Sequence, residues 1–107
     1  MVGHKDIGEI GQMHKDAGGD FFDADSYKGF FDFRIGQDVW PGASGWFFTT
    51  SEQFHNWMTH SSSSRRYSVR KLDAENHQRI DTVGEYQRYT SAAAAKRAAE
   101  KAAQEEN

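Results

Sequence analysis

Apolar positions recur at spacings of three and four near the start of the chain. Ile7, Ile10, Met13, His14 and Ala17 share one helical face, while Lys5, Glu9, Gln12, Lys15 and Asp16 lie away from it. The pattern predicts a helix that Gly18 and Gly19 end, because glycine readily turns left-handed past a helix C-terminus. Gly8 and Gly11 each cost about 1 kcal/mol relative to alanine inside a helix, so this one needs a layer to pack on. Downstream the period shortens. Residues 46–51 are aromatic and β-branched and read as a strand, 67–72 alternate, and 79–84 read as a further strand. Their connections suit an antiparallel meander. Between the first helix and these strands, Asp23, Asp25 or Ser26 can cap a short helix that puts Tyr27, Phe30 and Phe31 on one face before an extended piece. A strand through Phe31, Phe33 and Ile35 is the alternative. Residues 40–45, with the only proline at Pro41, read as a turn or loop, and the serine run 61–64 reads as a loop. Residues 73–78 form a polar turn. Thr90 or Ser91 caps a C-terminal helix over 92–104, whose Ala92, Ala95, Ala98, Ala99, Ala102 and Ala103 form one stripe. Glu105 and Glu106 sit at the negative end of that helix, so its last turn is expected to fray.

Composition refines this α+β reading. The chain has 107 residues, the length of one domain, and we expect one over residues 1–107. Four Val, four Ile and one Leu are too few for an aliphatic core, but eight Phe, four Tyr and three Trp compensate. Each aromatic can bury on the order of 150–250 Å², so the core is expected to be small and ring-rich. The expected architecture is an N-terminal helix, a three- or four-stranded, mainly antiparallel sheet, and an alanine-rich helix packed on that sheet.

Charge and motifs exclude more than they assign. The net charge is −3, carried as −5 over residues 1–60 and +2 over 61–107, so the chain is not a polybasic nucleic-acid binder. Without cysteine it has no disulfide, thiol nucleophile or thiolate-bound zinc. His55 and His60 are five apart and His4 and His14 ten apart, neither of them the helical spacing of a zinc pair, and His14 reads as a packed histidine. No nucleotide-binding glycine loop and no nucleophile elbow occurs. The sequence therefore implies no metal, no cofactor and no reaction. No apolar run approaches the roughly 20 residues needed to cross a bilayer, and the start lacks a secretory apolar segment. Arg66, Arg70, Lys71 and Arg79 lie on or near neighbouring strands and could meet phosphates, with Trp57 stacking on a base. Opposed acids in the same region give that patch a weak basic footprint.

Three blocks carry a resemblance. They are Gly19-Asp20-Phe21-Phe22 with Asp25, Phe30, Phe31, Arg34 and Ile35; then residues 47–54; then residues 67–70 and 80–89 with the alanine helix behind them. Together they resemble a family of small, uncharacterised proteins of tailed bacteriophages. One departure is the 73–78 turn, where Asn76 stands at an expected glycine. The resemblance implies a phage gene product in the host bacterial cytoplasm and carries no activity with it. The last third is also similar in layout to the plant ethylene-response type of DNA-binding domain, an analogy of fold alone. The expected function is a non-enzymatic accessory protein that binds a host macromolecule, in an anti-defence or host-takeover role. The residues expected to meet that protein partner are Asp20, Asp23, Asp25 and Asp32, an acidic surface that would favour a basic partner, with Trp40 and Trp57 as aromatic anchors. The alternatives are a nucleic-acid-binding module and a minor virion component.

Overall fold

A strand covered on both faces needs apolar side chains at consecutive positions, and residues 46–48, Trp-Phe-Phe, meet that condition. In the computed structural model, which describes residues 2–22, 31–56 and 58–107, they lie in the central strand of an antiparallel sheet. The elements are α1 (Ile7–Asp16), β1 (Phe31–Ile35), β2 (Trp40–Pro41), β3 (Gly45–Asn56), β4 (Ser61–Ser62), β5 (Arg66–Asp73), β6 (Ile80–Val83) and α2 (Ala92–Glu106). The sheet order is β1-β3-β5-β6, with β2 and β4 each paired to β3.

Strand parity sorts the core into two layers. Trp46 and Phe48 of β3 and Leu72 of β5 cluster with Ile10 of α1, and Phe21 and Phe22 pack around them. Phe47 and Val69 face the other way and meet Ala99 and Ala103 of α2. The alanine stripe lets α2 approach the sheet closely. Gly45 has the same logic on the backbone, since a Cβ there would run into the Leu72 carbonyl of the paired strand. Asp6 caps α1, its carboxylate accepting from the Glu9 amide at 2.8 Å. His14 is buried, as expected, and bridges three segments. Its Nδ1 lies 2.7 Å from the His77 carbonyl, and its Nε2 accepts from the Phe21 amide at 3.2 Å. That geometry implies the neutral tautomer with the proton on Nδ1.

The α+β class holds, and among the described residues the sheet has six strands where three or four were expected. The reason is the length of β3. Among the described residues its twelve outlast both neighbours, so short segments pair with its ends. Trp40 and Pro41 pair with Phe47 and Trp46, so this part of the expected loop is strand. Proline is tolerated there because a short edge strand can do without one N–H. Ser61 and Ser62, also expected in a loop, pair with Asn56 and His55. Phe31–Ile35 is strand, while the expected short helix before it lies outside the described residues.

The end of α2 also departs from expectation. Rather than fraying, it runs to Glu106, whose carboxylate accepts from the Ser44 hydroxyl at 2.6 Å and the Ser44 amide at 3.1 Å. Lys71 donates to the same hydroxyl at 3.0 Å. Burial pushes the Glu106 carboxyl up, but the Ser44 bonds and Lys71 outweigh it and hold it below the ordinary glutamate range. A lowered folded-state value stabilises the fold above the ordinary range, and that contribution is lost as pH falls through the lowered value. Urea midpoints measured on either side of the ordinary glutamate pKa of about 4.3 should therefore drop less in Glu106→Gln than in the parent. Equal acid sensitivity would show that the anchor contributes nothing.

Candidate functional site

Along one face of β3 the side chains change character: Trp46, Phe48, Thr50, Glu52, Phe54. The first two are core, the next two polar and buried, and the last is exposed. Register places Thr50 opposite Ser68, and Glu52 opposite Arg66, on the neighbouring β5. The diagonal neighbour Arg70 reaches across. Its Nη2 lies 3.1 Å from Glu52 Oε1, Nε donates to Thr50 Oγ1 at 3.0 Å, and Nη1 donates to Thr82 Oγ1 at 2.5 Å. The guanidinium sits 5.4 Å from the Phe21 ring centroid and 5.1 Å from that of Tyr86, within cation–π range of both.

A loop holds this cluster down. After β6 the chain leaves the sheet at Gly84, whose φ of +77° suits glycine, and returns where Tyr89 bridges Tyr67. Within the excursion Gln87 takes φ +58°, donates its amide to Ser68 Oγ at 2.7 Å and accepts from Arg66 Nε at 3.3 Å. Five parts of the chain thus meet at one ion pair: the turn after α1, β3, β5, β6 and the loop after β6. Burial pushes the Glu52 carboxyl above its ordinary range, and Arg70, Thr50 and Gln87 offset this only in part. Oε2 is buried with no hydrogen-bond partner among the described residues. The carboxyl is fully sealed, and the cluster ties these segments together.

Past Glu52, β3 runs beyond its pairing with β5. Among the described residues it pairs with β5 as far as Glu52, with β1 as far as Phe54, and with β4 at His55 and Asn56. The result is a two-stranded arm on a molecule measuring 47 × 29 × 19 Å. Short polar side chains bond across it. Ser63 Oγ accepts from the Phe54 amide at 3.0 Å, and His55 Nδ1 lies 2.7 Å from Ser62 Oγ. At the tip Asn56 Oδ1 accepts from the amides of Met58 and Thr59 at 3.0 and 3.3 Å. The arm carries Met58, 93% exposed, and Phe54, 43% exposed.

The residues singled out by sequence scatter over this frame. Asp20 is exposed beside Phe21, and Asp23, Asp25 and Trp57 lie outside the described residues. Asp32 is engaged on the α2 face, paired with Arg65 and, at 3.2 Å, with Arg34. Trp40 packs against the Phe47 cluster, where its ring serves the core. Arg66 and Arg70 do share a face, but it is the face that buries Glu52, and only 11% of the Arg70 side chain is exposed. Lys71 points to the opposite face beside Ser44, and Arg79 pairs with Asp81 at 3.0 Å. Those four cations therefore form no common patch. Sequence reasoning missed Glu52 and its pairing with Arg70. The available signal was an acid on the apolar parity of a strand, with arginines on the next.

Among the described residues no group of three or more His, Asp or Glu side chains could hold a metal ion, and no helix is long and apolar enough to cross a membrane. Nothing among curated proteins or solved structures matches the chain. One family does, described as a family of unknown function (DUF7447). Its match covers residues 6–100, from the cap of α1 into α2, and contains the whole Glu52–Arg70 cluster and the arm. The chain belongs to this family of unknown function.

Proposed function

We propose that the protein is a non-enzymatic accessory protein that acts by binding another protein, with the β3–β4 arm as its contact surface. The observation that carries this reading is the exposure of Met58 and Phe54 together on one two-stranded arm, whereas Tyr86, the other exposed large hydrophobic among the described residues, lies over the Arg70 guanidinium. Met58 sits on an Asn56-capped tip, so the backbone beneath it is held while its unbranched side chain adapts to a partner. Fully burying one such side chain contributes about 1.5–3 kcal/mol, enough for a single anchor to matter. The bacteriophage resemblance suggests a host protein as the partner, and Asp20 and the neighbouring acids would favour a basic one.

Met58→Asp should leave fold stability within about 0.5 kcal/mol, because the side chain touches nothing that the fold needs. It should weaken partner binding by about tenfold or more, the equivalent of roughly 1.4 kcal/mol. A photo-crosslinking amino acid at position 58, in bacteria expressing the protein, reads the contact directly. One discrete adduct, abolished when a competing arm peptide is present, is expected. Absence of any adduct from position 58, with the folded protein abundant, would rule out the arm.

A further inference from the structure

The floor beneath α2 changes from apolar to polar halfway along the helix. Ala99 and Ala103 rest on Phe47 and Val69. Under the first turns the same sheet face presents Thr49, Ser51 and Tyr67, and a groove of about 250 Å³ opens there. Its lining brings in Arg34, Arg65 and Lys96, and with them Ala92, the first residue of α2. Among the described residues lining it there is no carboxylate, on a chain whose net charge is −3. Three hydroxyl side chains and three cations converge on one space.

The acids near these cations do not cancel them. Arg34 and Arg65 share a single carboxylate, that of Asp32, which leaves one guanidinium charge in excess. Arg65 is only 15% exposed and is oriented by a 2.9 Å bond from Nη1 to Ser51 Oγ. Lys96 lies 3.1 Å from Asp38, and both side chains are about half exposed, so that pair exchanges readily with solvent. The first turn of α2 holds no acid, although an acid is the usual complement to a helix start.

We propose that this groove binds the phosphate group of a small phosphate monoester. A tetrahedral dianion fits the chemistry: planar guanidinium donors, a mobile ammonium and hydroxyl donors, all in charge-assisted bonds. The volume is just under the usual range of about 300–1,000 Å³ for ligand pockets, so the attached group must be small. The site lies on the α2 face and is independent of the contact residues on the arm.

Amide shifts in a ¹⁵N-labelled sample test it, titrating inorganic phosphate in one arm and glycerol 3-phosphate in another at constant ionic strength. Glycerol alone and chloride are the controls. Saturable shifts at Ala92, Thr49 and Ser51 are expected. Tighter binding of the monoester assigns the site to an organic phosphate, whereas binding of inorganic phosphate alone assigns it to the free anion and overturns the monoester. Lys96→Ala should raise Kd about tenfold or more, consistent with loss of a charged hydrogen bond. Asp38→Asn should lower Kd by freeing Lys96. A purely structural effect of breaking the Lys96–Asp38 pair would move both variants the same way. Shifts that grow without saturating, that match the chloride control, or that are unchanged in Lys96→Ala would overturn the proposal.

Discussion

Arg70→Met should destabilise the fold by about 3–5 kcal/mol at neutral pH, because it strands a buried carboxylate without its counter-charge. Glu52 is fully buried, and its Oε1 has Thr50 as the remaining partner once Arg70 is gone. Methionine fills much of the arginine's volume, so the loss reports charge more than a cavity. The double variant Glu52→Gln with Arg70→Met should recover most of the stability, since it removes the buried charge along with its partner. The pH dependence has a defined sign. Burial already raises the Glu52 carboxyl in the intact protein, so the folded state favours its proton, and removing Arg70 raises it further. The deficit of Arg70→Met should therefore shrink as pH falls through the raised value and Glu52 becomes neutral. Urea denaturation of the parent, single and double variants at two pH values measures all of this. A single variant as stable as the parent, or a double no better than the single, would show that the pair does not tie these segments together.

Phe48→Ala should cost a similar amount, about 3–5 kcal/mol, by the lost transfer energy and the cavity left behind. Phe48 is fully buried, stacks on Phe22 with ring centroids 5.6 Å apart, and meets Phe21 edge-on at 6.1 Å. Phe21 in turn covers the Arg70 guanidinium. The two large effects should thus be coupled. In a double-mutant cycle Phe48→Ala and Arg70→Met should sum to less than additive, since each loosens the same turn. Additivity within about 0.5 kcal/mol would separate the aromatic layer from the ion pair.

Periodicity made the helices legible. The three-four spacing of Ile7, Ile10 and Met13 and the alanine stripe of α2 are local patterns, as are the Ser91 cap and the buried place of His14. Strand pairing is not local. Whether 61–64 is a loop or half of an arm depends on β3 extending past its neighbours, which no property of four serines announces. The fraying expected at Glu106 was sound for an isolated helix dipole, and it failed because Ser44 and Lys71 come from distant parts of the chain. The basic cluster dissolved for a related reason: Arg70 and Lys71 are adjacent in sequence, so a strand sends them to opposite faces.

The order of residues by itself determined an α+β class, an aromatic core and an alanine helix, because hydrophobic period and helix propensity act over a few neighbouring positions. Tertiary structure alone decided which charges meet. Register set Arg70 diagonal to Glu52, a loop closed over them, and a long strand carried Met58 into solvent. Electrostatic partners are chosen by distance through space, and only the packed sheet brings residues 18 positions apart to within 3.1 Å.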